Sequence, residues 1–332
     1  MRVFLLLSFF IATSAFSFTL TLPDFGSLPG FNLPGLGGGS SSSTGTVYVP
    51  SSLENNTTPA PAIVLLHGCL QSGADVLRAS RLKDIADQKG FYVIIPEQSY
   101  SANPVRCWNW FDQKNQKRSQ NEVAAILSVI EKAQQDYPID PERLIVSGFS
   151  AGAAMANVLA YCHADMFSGA LIMAGVKYAG ATSPMDAFNV MRSGSRVSAD
   201  NSAKAGHQCL LTGDDYPTTL PKFFIVAGTN DGIVSPVNAD QQAEANAIFY
   251  DLLDDSTQND SIILTGTKNQ MKGNGQTRSY TEYNFSYKNE VLMKVLKVDG
   301  MSHGWSGGAP NMQYSDPNGP AISEMMTDFF KL

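Results

Sequence analysis

Short runs of apolar residues alternate along most of the chain with longer segments in which apolar residues recur at helical spacing. The apolar runs predict strands at 62–66, 91–95, 143–147, 170–174, 223–227 and 291–298. The helical spacing predicts helices at 76–89, at 119–136, from residue 151 onward and from Pro320 near the C-terminus. Strands that alternate with amphipathic helices are typical of a mostly parallel sheet with helices on both faces. The pattern therefore predicts an α/β fold.

Two stretches interrupt this alternation. Residues 178–216 are polar and rich in glycine and serine, and we expect them to form a small cap insertion near an active site. Residues 254–285 are also polar and predict a surface excursion. Two single residues predict element ends, since Gly90 is expected to stop the helix at 76–89 and Pro96 the strand at 91–95.

The first 45 residues differ from the rest of the chain. Arg2 followed by the apolar run at 3–12 and the small-residue site at 15–17 predicts a signal peptide over 1–17, and therefore a secreted protein, extracellular or periplasmic. Residues 18–45 are rich in glycine, proline and serine and read as a flexible segment. We expect the folded domain to occupy 46–332. No later run reaches the ~18 apolar residues of a membrane-spanning helix, so stable membrane insertion is not expected.

Composition narrows the classes of function. Hydrophobic residues make up 43% of the chain, which is enough for a full core. The net charge of −7 and the lack of a Lys/Arg cluster argue against nucleic acid as a partner. Four cysteines, at 69, 107, 162 and 209, allow three disulfide pairings in an oxidising compartment. No CxxC or His/Cys cluster suggests zinc. The chemistry of the candidate residues below requires neither a metal nor a cofactor.

The strongest chemical signal is the G-x-S-x-G sequence at 148–152, centred on Ser150. A buried strand is predicted before it and a helix of small residues after it, which is the strand–turn–helix setting of a nucleophile elbow. The flanking glycines allow the sharp turn that lifts the serine hydroxyl above the sheet. This context favours Ser150 as a nucleophile over an ordinary glycine-rich turn.

A serine nucleophile needs a base and an acid that orients the base. His303 follows the predicted strand at 291–298, and Asp231 follows the strand at 223–227, in the chain order Ser, Asp, His that this arrangement requires. His67 as the base conflicts with that order and is expected to be structural. Competing acids are Asp214, Asp215 and Asp240.

An oxyanion hole requires two backbone N–H groups. The amide of Ala151, directly after Ser150, is one predicted donor. The second is expected from the loop after the first predicted strand, and we assign it to the amide of Cys69.

Taken together, the motifs resemble the secreted polyhydroxybutyrate depolymerase-like esterases of the α/β-hydrolase superfamily, which are related to feruloyl and acetylxylan esterases. The matching stretches are HGCLQ at 67–71, CWNWF at 107–111, GFSAGAAM at 148–155, GTND at 228–231 and SHGWSGG at 302–308. The resemblance implies the triad Ser150, Asp231 and His303 and an ester substrate. It also implies a Cys69–Cys107 disulfide, which leaves Cys162 to pair with Cys209. Trp108 and Trp305 are expected to wall the substrate cleft.

The resemblance leaves the substrate open. Polymer depolymerases of this family usually carry a linker and a substrate-binding domain after the catalytic domain, whereas this sequence stops at Leu332 with its last helix. We therefore expect hydroxyalkanoate oligomers, amorphous polymer or short-chain esters as substrates. The alternatives are a feruloyl or acetylxylan esterase of plant cell walls, which would share every catalytic residue, and a non-catalytic secreted binding protein on a hydrolase scaffold.

Overall fold

The computed structural model describes residues 44–213 and 217–332, so the predicted signal peptide and nearly all of the predicted flexible segment lie outside the described residues. A nine-stranded sheet forms the centre of the described chain. Its strands are β1 (Thr44–Tyr48), β2 (Ala60–Leu66), β3 (Tyr92–Glu97), β4 (Ile139–Phe149), β5 (Gly169–Met173), β6 (Lys222–Gly228), β7 (Thr265–Met271), β8 (Tyr280–Tyr287) and β9 (Glu290–Val298).

The strand order is β1-β3-β2-β4-β5-β6-β9-β8-β7. The six inner strands, from β3 to β9, are parallel, and only the edge strands β1, β8 and β7 run antiparallel to their neighbours. Strands β2, β3, β5 and β6 and the second half of β4 are almost fully buried, as expected where helices cover both faces of a sheet. Two further short strands, β10 (Trp305–Ser306) and β11 (Ser315–Asp316), pair with each other.

Eight α-helices surround the sheet within the described residues. They are α1 (Gly73–Ala79), α2 (Leu82–Lys89), α3 (Asn121–Asp136), α4 (Ala151–Cys162), α5 (Pro184–Ser193), α6 (Ala199–Leu210), α7 (Val237–Asp255) and α8 (Ile322–Phe330). Neighbouring side chains of one strand point to opposite faces. On β6, Phe223 contacts Tyr161 of α4 and Tyr250 of α7, whereas Phe224 contacts Phe329 of α8. Helices α4 and α7 therefore cover one face and α8 covers the other.

The predicted helix at 76–89 is two helices, with Arg81 between them in a left-handed conformation at φ 59°. The break has a tertiary cause. The carbonyl of Ala79 accepts the N–H of Ala309, and that of Ser80 accepts the hydroxyl of Ser323. These distant segments take the carbonyl oxygens at the end of α1, so the helix does not continue through them.

Two predicted element ends are also shifted. Pro96 lies inside β3 instead of stopping it, and it is tolerated there because pairing with β2 has already ended at Ile94. Thr44 and Gly45, two residues before the predicted domain boundary at residue 46, pair with the end of β3. Gly90 caps α2 as expected, with a positive φ of 77°.

The two polar stretches contain regular structure that their composition conceals. The stretch at 178–216 holds α5 and α6, each begun by a serine, Ser183 or Ser198, whose hydroxyl accepts an N–H of the first turn. Helix α6 packs against α4 and α7, and its Gly206 lies against the ring of Tyr161. The stretch at 254–285 contains β7 and most of β8, which extend the sheet, so its prediction as a surface excursion is wrong. Strand β7 is exposed along its whole length and therefore lacks an apolar pattern. Among the described residues, no helix is long and apolar enough to cross a membrane.

Candidate active site

Ser150 occupies a tight turn between β4 and α4, at the carboxyl edge of the parallel strands. Its φ of 55° and ψ of −120° lie in a region that residues other than glycine rarely adopt, and its N–H donates to the carbonyl of Met173 at 3.0 Å. The turn depends on the glycines on either side. A Cβ at Gly148 would lie 2.7 Å from the amide nitrogen of Ala153, and one at Gly152 would lie 2.5 Å from the carbonyl oxygen of His67. Only glycine therefore allows α4 to pack this closely on β2 and β4.

The imidazole of His303 lies between Ser150 and Asp231. Its Nε2 is 3.0 Å from Ser150 Oγ, and its Nδ1 is 2.7 Å from Asp231 Oδ2. The other carboxylate oxygen, Oδ1, accepts the backbone N–H groups of Ile233 and Val234, both at 2.9 Å. The ionised carboxylate can only accept, so Nδ1 carries the proton and Nε2 is left to accept the serine hydroxyl. The structure thus brings the predicted nucleophile, base and acid into one hydrogen-bonded chain.

Direct hydrogen bonds join the two loops that carry Asp231 and His303. The N–H of Asn230 donates to the carbonyl of Met301 at 3.0 Å, and the N–H of Gly300 donates to Thr229 Oγ1 at 2.8 Å. These bonds position the acid against the imidazole over a sequence separation of 72 residues. Thr229 had no chemical signal in the sequence beyond its place in the GTND stretch.

Aromatic side chains shield the histidine from water. The ring of Phe149, the residue before the predicted nucleophile, lies 4.7 Å from the imidazole of His303. Tyr314 approaches the imidazole edge-on at 6.1 Å. The His303 side chain is only 6% exposed and that of Asp231 only 1%. Sequence reasoning missed both aromatic residues. Phe149 lies directly before Ser150 in the G-x-S-x-G motif, and that position could have indicated that its ring lies near the nucleophile. Nothing in the sequence indicated that Tyr314 lies near His303.

The loop after β2 carries the predicted oxyanion donor Cys69. Among the described residues, neither the N–H of Cys69 nor that of Ala151 has a hydrogen-bond acceptor. The loop itself is firmly held, since Gly68 N–H donates to Gln71 Oε1 at 2.9 Å and Leu70 N–H donates to the carbonyl of Val105 at 2.8 Å. A rigid loop with a free N–H is suited to bind an oxyanion.

The side chain of His67 also holds this loop in place through two hydrogen bonds. Its Nδ1 donates to the carbonyl of Gly68 at 2.8 Å, and its Nε2 accepts the N–H of Gln98 at 3.1 Å. Burial lowers the pKa of His67 to about 4, so the side chain is neutral at physiological pH. Both nitrogens are occupied by backbone groups, and His67 is unavailable as the base for Ser150.

The four cysteines form two disulfides. Cys69 is bonded to Cys107, which ties the loop after β2 to the loop after β3. Cys162 is bonded to Cys209, which ties the end of α4 to α6. The second bond lies at the far end of α4 from Ser150.

The predicted role of the two tryptophans is wrong. Trp108 and Trp305 are each only 1% exposed. The indole N–H of Trp108 donates to the carbonyl of His67 at 3.1 Å, and that of Trp305 donates to Ser323 Oγ at 2.9 Å. Both rings pack in the core directly behind the site, so neither has surface to offer a substrate.

The competing acids do not reach His303. Asp240 lies in the first turn of α7, where it forms an ion pair with Lys297 and is half exposed. Asp214 and Asp215 lie outside the described residues. Among the described residues, no cluster of three or more His, Cys, Asp or Glu side chains is placed to hold a metal ion.

Comparison with known proteins identifies relatives of this arrangement. The family described as "Esterase PHB depolymerase" matches residues 44–260, more than half of the chain. Poly(3-hydroxyalkanoate) depolymerase C of Paucimonas lemoignei is 31% identical over 258 residues, covering 77% of this chain and 57% of that protein. Probable acetylxylan esterase A of Aspergillus flavus is 29% identical over 210 residues, covering 59% of this chain and 62% of that protein. The chain thus spans less than two thirds of the length of these relatives.

Among solved structures, an acetyl xylan esterase from Aspergillus awamori superposes with a TM-score of 0.62 at 19% identity. The match covers 86% of this chain and 93% of that one. At this identity the likeness is one of fold, and it confirms the predicted α/β-hydrolase architecture. The family match includes Ser150 and Asp231, whereas His303 lies beyond the matched residues and reaches Ser150 through the fold. By its sequence, this chain belongs to the esterase PHB depolymerase family.

Proposed function

We propose that this protein is a serine carboxylesterase that cleaves esters through an acyl-enzyme. The observation that carries the proposal is the continuous hydrogen-bonded chain from Ser150 through His303 to Asp231. Membership of an esterase family supports the same reaction. A non-catalytic binding protein would not require a buried, fully oriented triad.

The geometry supports a two-step acyl transfer. His303 Nε2 takes the proton from Ser150 Oγ as that oxygen attacks the ester carbonyl, and Asp231 stabilises the imidazolium that forms. The amides of Cys69 and Ala151 bind the oxyanion, each donor being worth roughly 3 kcal/mol of the barrier. His303 then protonates the leaving alcohol, and water hydrolyses the acyl-enzyme by the reverse sequence of proton transfers.

Ser150→Ala tests the assignment directly. We expect the variant to fold like the parent and to lose nearly all turnover of a soluble ester such as 4-nitrophenyl butyrate, because Ser150 is the hydroxyl that donates to His303 Nε2. Circular dichroism verifies the fold. Turnover that survives in the variant at more than a few per cent of the parent would refute the role of Ser150.

For the substrate, we propose 3-hydroxyalkanoate oligomers or other short aliphatic esters. The match to a relative named poly(3-hydroxyalkanoate) depolymerase C covers a larger share of this chain than the match to acetylxylan esterase A. The burial of Trp108 and Trp305 removes the stacking platform expected for an aromatic ferulate. The second candidate is a cell-wall esterase, which the acetylxylan and feruloyl esterase relatives support. Acid release from a 3-hydroxybutyrate trimer and from methyl ferulate, at matched concentrations, separates the two.

We also propose that the insertion at 178–216 borders the substrate site and that the protein is secreted. The segment before α5 is joined to the loop after β3 by Gln116 Nε2, which donates to the carbonyl of Ala181 at 2.7 Å. Helix α5 itself is joined to the loop after β6 by Ser235 N–H, which donates to the carbonyl of Met191 at 2.7 Å. Two disulfides fit an oxidising compartment. Mass spectrometry of exported protein, with an N-terminus at Phe18 as the expected result, tests the signal peptide.

A further inference from the structure

An ion pair that the proposed mechanism does not use lies beside the loop of the proposed oxyanion donor. Arg106 Nη2 donates to Oε2 of Glu97, the last residue of β3, and Arg106 Nε donates to the carbonyl of Gln98 at 3.0 Å. The two charged side chains are only 16% and 21% exposed. Burial raises the pKa of Glu97 above its usual value, although the Arg106 guanidinium opposes this rise. Removing two charges from water offsets most of their attraction, so the pair indicates a role other than stability.

The Glu97 carboxylate contacts residues at both ends of the segment 67–72, which we call the oxyanion loop. Its Oε1 accepts the N–H of Gly73, the residue directly after the loop and the first of α1, at 2.7 Å. Its Oε2 lies 3.8 Å from Nε2 of His67, the first residue of the loop. A hydrogen bond to an ionised acceptor is stronger than one between neutral groups. Glu97 therefore fixes the point at which the oxyanion loop meets α1.

Arg106 contacts the middle of the oxyanion loop through its two chain neighbours. The carbonyl of Val105 accepts the N–H of Leu70 at 2.8 Å, and Cys107 forms the disulfide with Cys69. Arg106 itself has a left-handed backbone, with a φ of 55°, which residues other than glycine rarely adopt. Its side chain is held at Nη2 and at Nε, so these bonds keep the unfavourable backbone conformation in place. They thereby also fix the two neighbours that bind the loop.

We propose that Glu97 and Arg106 are positioning residues for the oxyanion hole, and that their ion pair holds the N–H of Cys69 in the orientation that binds the oxyanion. This inference rests on the proposed esterase function. A disulfide limits the distance between two residues, but rotation about its bonds leaves the direction of a neighbouring N–H free. The ion pair removes this freedom, because it joins the segment around Arg106 to the residue that follows the oxyanion loop. Neither side chain exchanges a proton in the reaction, and both act through the Cys69 amide.

Glu97→Gln tests the proposal, because it keeps the shape of the side chain and removes its charge. The glutamine oxygen can still accept the N–H of Gly73, but its NH2 group then lies against the donors of Arg106. We expect kcat for 4-nitrophenyl butyrate to fall about tenfold and KM to change less than about twofold, because an oxyanion donor acts on the transition state.

Butylboronic acid supplies a readout that a merely structural role would leave unchanged. Its tetrahedral adduct with Ser150 places an oxygen in the oxyanion hole, as the transition state does. Its inhibition constant should therefore rise in Glu97→Gln by the same factor by which kcat/KM falls. An inhibition constant equal to that of the parent would overturn the proposal.

The matched control is Asp165→Asn, which breaks a second ion pair between arginine and a carboxylate. The side chains of Arg118 and Asp165 are 16% and 9% exposed, and Arg118 also donates to the carbonyl of Cys162 in the other disulfide. This pair is equally buried but lies at the far end of α4 from Ser150. We expect the control variant to keep kcat and the inhibition constant within about twofold, because its site is remote from the oxyanion hole. A loss in the control equal to that in Glu97→Gln would overturn the proposal.

The double variant Glu97→Gln with Arg106→Gln should be no slower than the slower single variant, since both changes break one pair, and additive losses would overturn the proposal. Thermal unfolding shows whether the variants fold. Arg106→Lys keeps the charge but lacks the forked guanidinium, and it serves with the same expected changes if Glu97→Gln does not fold. A parent that hydrolyses no ester and binds no boronic acid refutes the proposed function. An active parent with an equally active Glu97→Gln variant refutes the positioning role alone.

Discussion

Replacing Asp231 by asparagine tests the proposed triad most sharply, because the change keeps the shape of the side chain and alters only its hydrogen-bonding pattern. In the parent, Oδ1 accepts two backbone N–H groups and Oδ2 accepts His303 Nδ1–H. An asparagine must place its amide NH2 at one of these two positions. If the NH2 group faces the backbone, it lies against the N–H groups of Ile233 and Val234, which are also donors. If it faces the histidine, it lies against the Nδ1–H group of His303, which is a donor as well.

The second orientation costs less, because it preserves the two backbone hydrogen bonds. It favours the imidazole tautomer with the proton on Nε2, which can no longer accept the hydroxyl of Ser150 across 3.0 Å. In serine proteases with the same arrangement, this tautomer error lowers kcat about 10⁴-fold, equivalent to about 5.5 kcal/mol in the barrier. We expect a loss of this size here, because within residues 44–213 and 217–332 the carboxylate that pairs with His303 Nδ1 is that of Asp231.

Initial rates with 4-nitrophenyl butyrate at neutral pH measure the effect, and KM should change little because the acid does not touch substrate. The matched control is Asp240→Asn, which removes a carboxylate that pairs with Lys297 on α7. We expect that variant to keep kcat within about twofold, since exposed ion pairs contribute little. A kcat for Asp231→Asn within tenfold of the parent, with the fold intact, would refute the proposed role of Asp231.

Three further predictions follow from the same contacts. Gly152→Ala should lower the free energy of unfolding by about 1–3 kcal/mol and also lower kcat, because the added methyl group meets the backbone of Leu66 and His67. In the control variant Gly232→Ala the methyl group meets nothing within 4 Å, so the melting temperature should not change. The double variant Cys69→Ala with Cys107→Ala should lower kcat more than about tenfold, because the loop that carries the proposed oxyanion donor loosens. The double variant Cys162→Ala with Cys209→Ala should lower the free energy of unfolding by about 2–4 kcal/mol and leave kcat unchanged. Equal kcat values in the two double variants would contradict this prediction. Burial lowers the pKa of His67 and of His163 from 6.5 to about 4. Between pH 6.5 and 4 the unfolded chain therefore binds more protons than the folded chain. The free energy of unfolding should fall as the pH drops through this range, by about 3 kcal/mol per histidine. Urea titrations of His163→Gln should show that the free energy of unfolding depends less steeply on pH than in the parent. An unchanged pH dependence would show that His163 does not contribute to it.

The predicted nucleophile was readable from the sequence because its setting is local. The strand before Ser150, the helix after it and the two glycines all lie within about twenty residues. The glycines mark positions where a Cβ would strike the backbone, a constraint that the residue type itself reveals.

The two tryptophans illustrate the opposite case. Trp108 and Trp305 adjoin motifs of the site in sequence, and their large rings made a cleft wall plausible. Their indole N–H groups instead donate to His67 and Ser323, partners supplied by other segments of the fold. Burial is a property of what packs around a side chain, and neighbouring residues in the sequence do not determine it.

The sequence by itself determined the α/β alternation, the strand–turn–helix around Ser150 and the chain order of acid and histidine. These depend on periodicity, turn chemistry and residue type, which act over a few residues. Only the tertiary structure decided the break at Arg81, the antiparallel extension by β7 and β8, and the chain of hydrogen bonds that joins residues 150, 231 and 303. Each of these depends on contacts between segments far apart in the chain, whose geometry follows from the packing of the whole sheet and its helices.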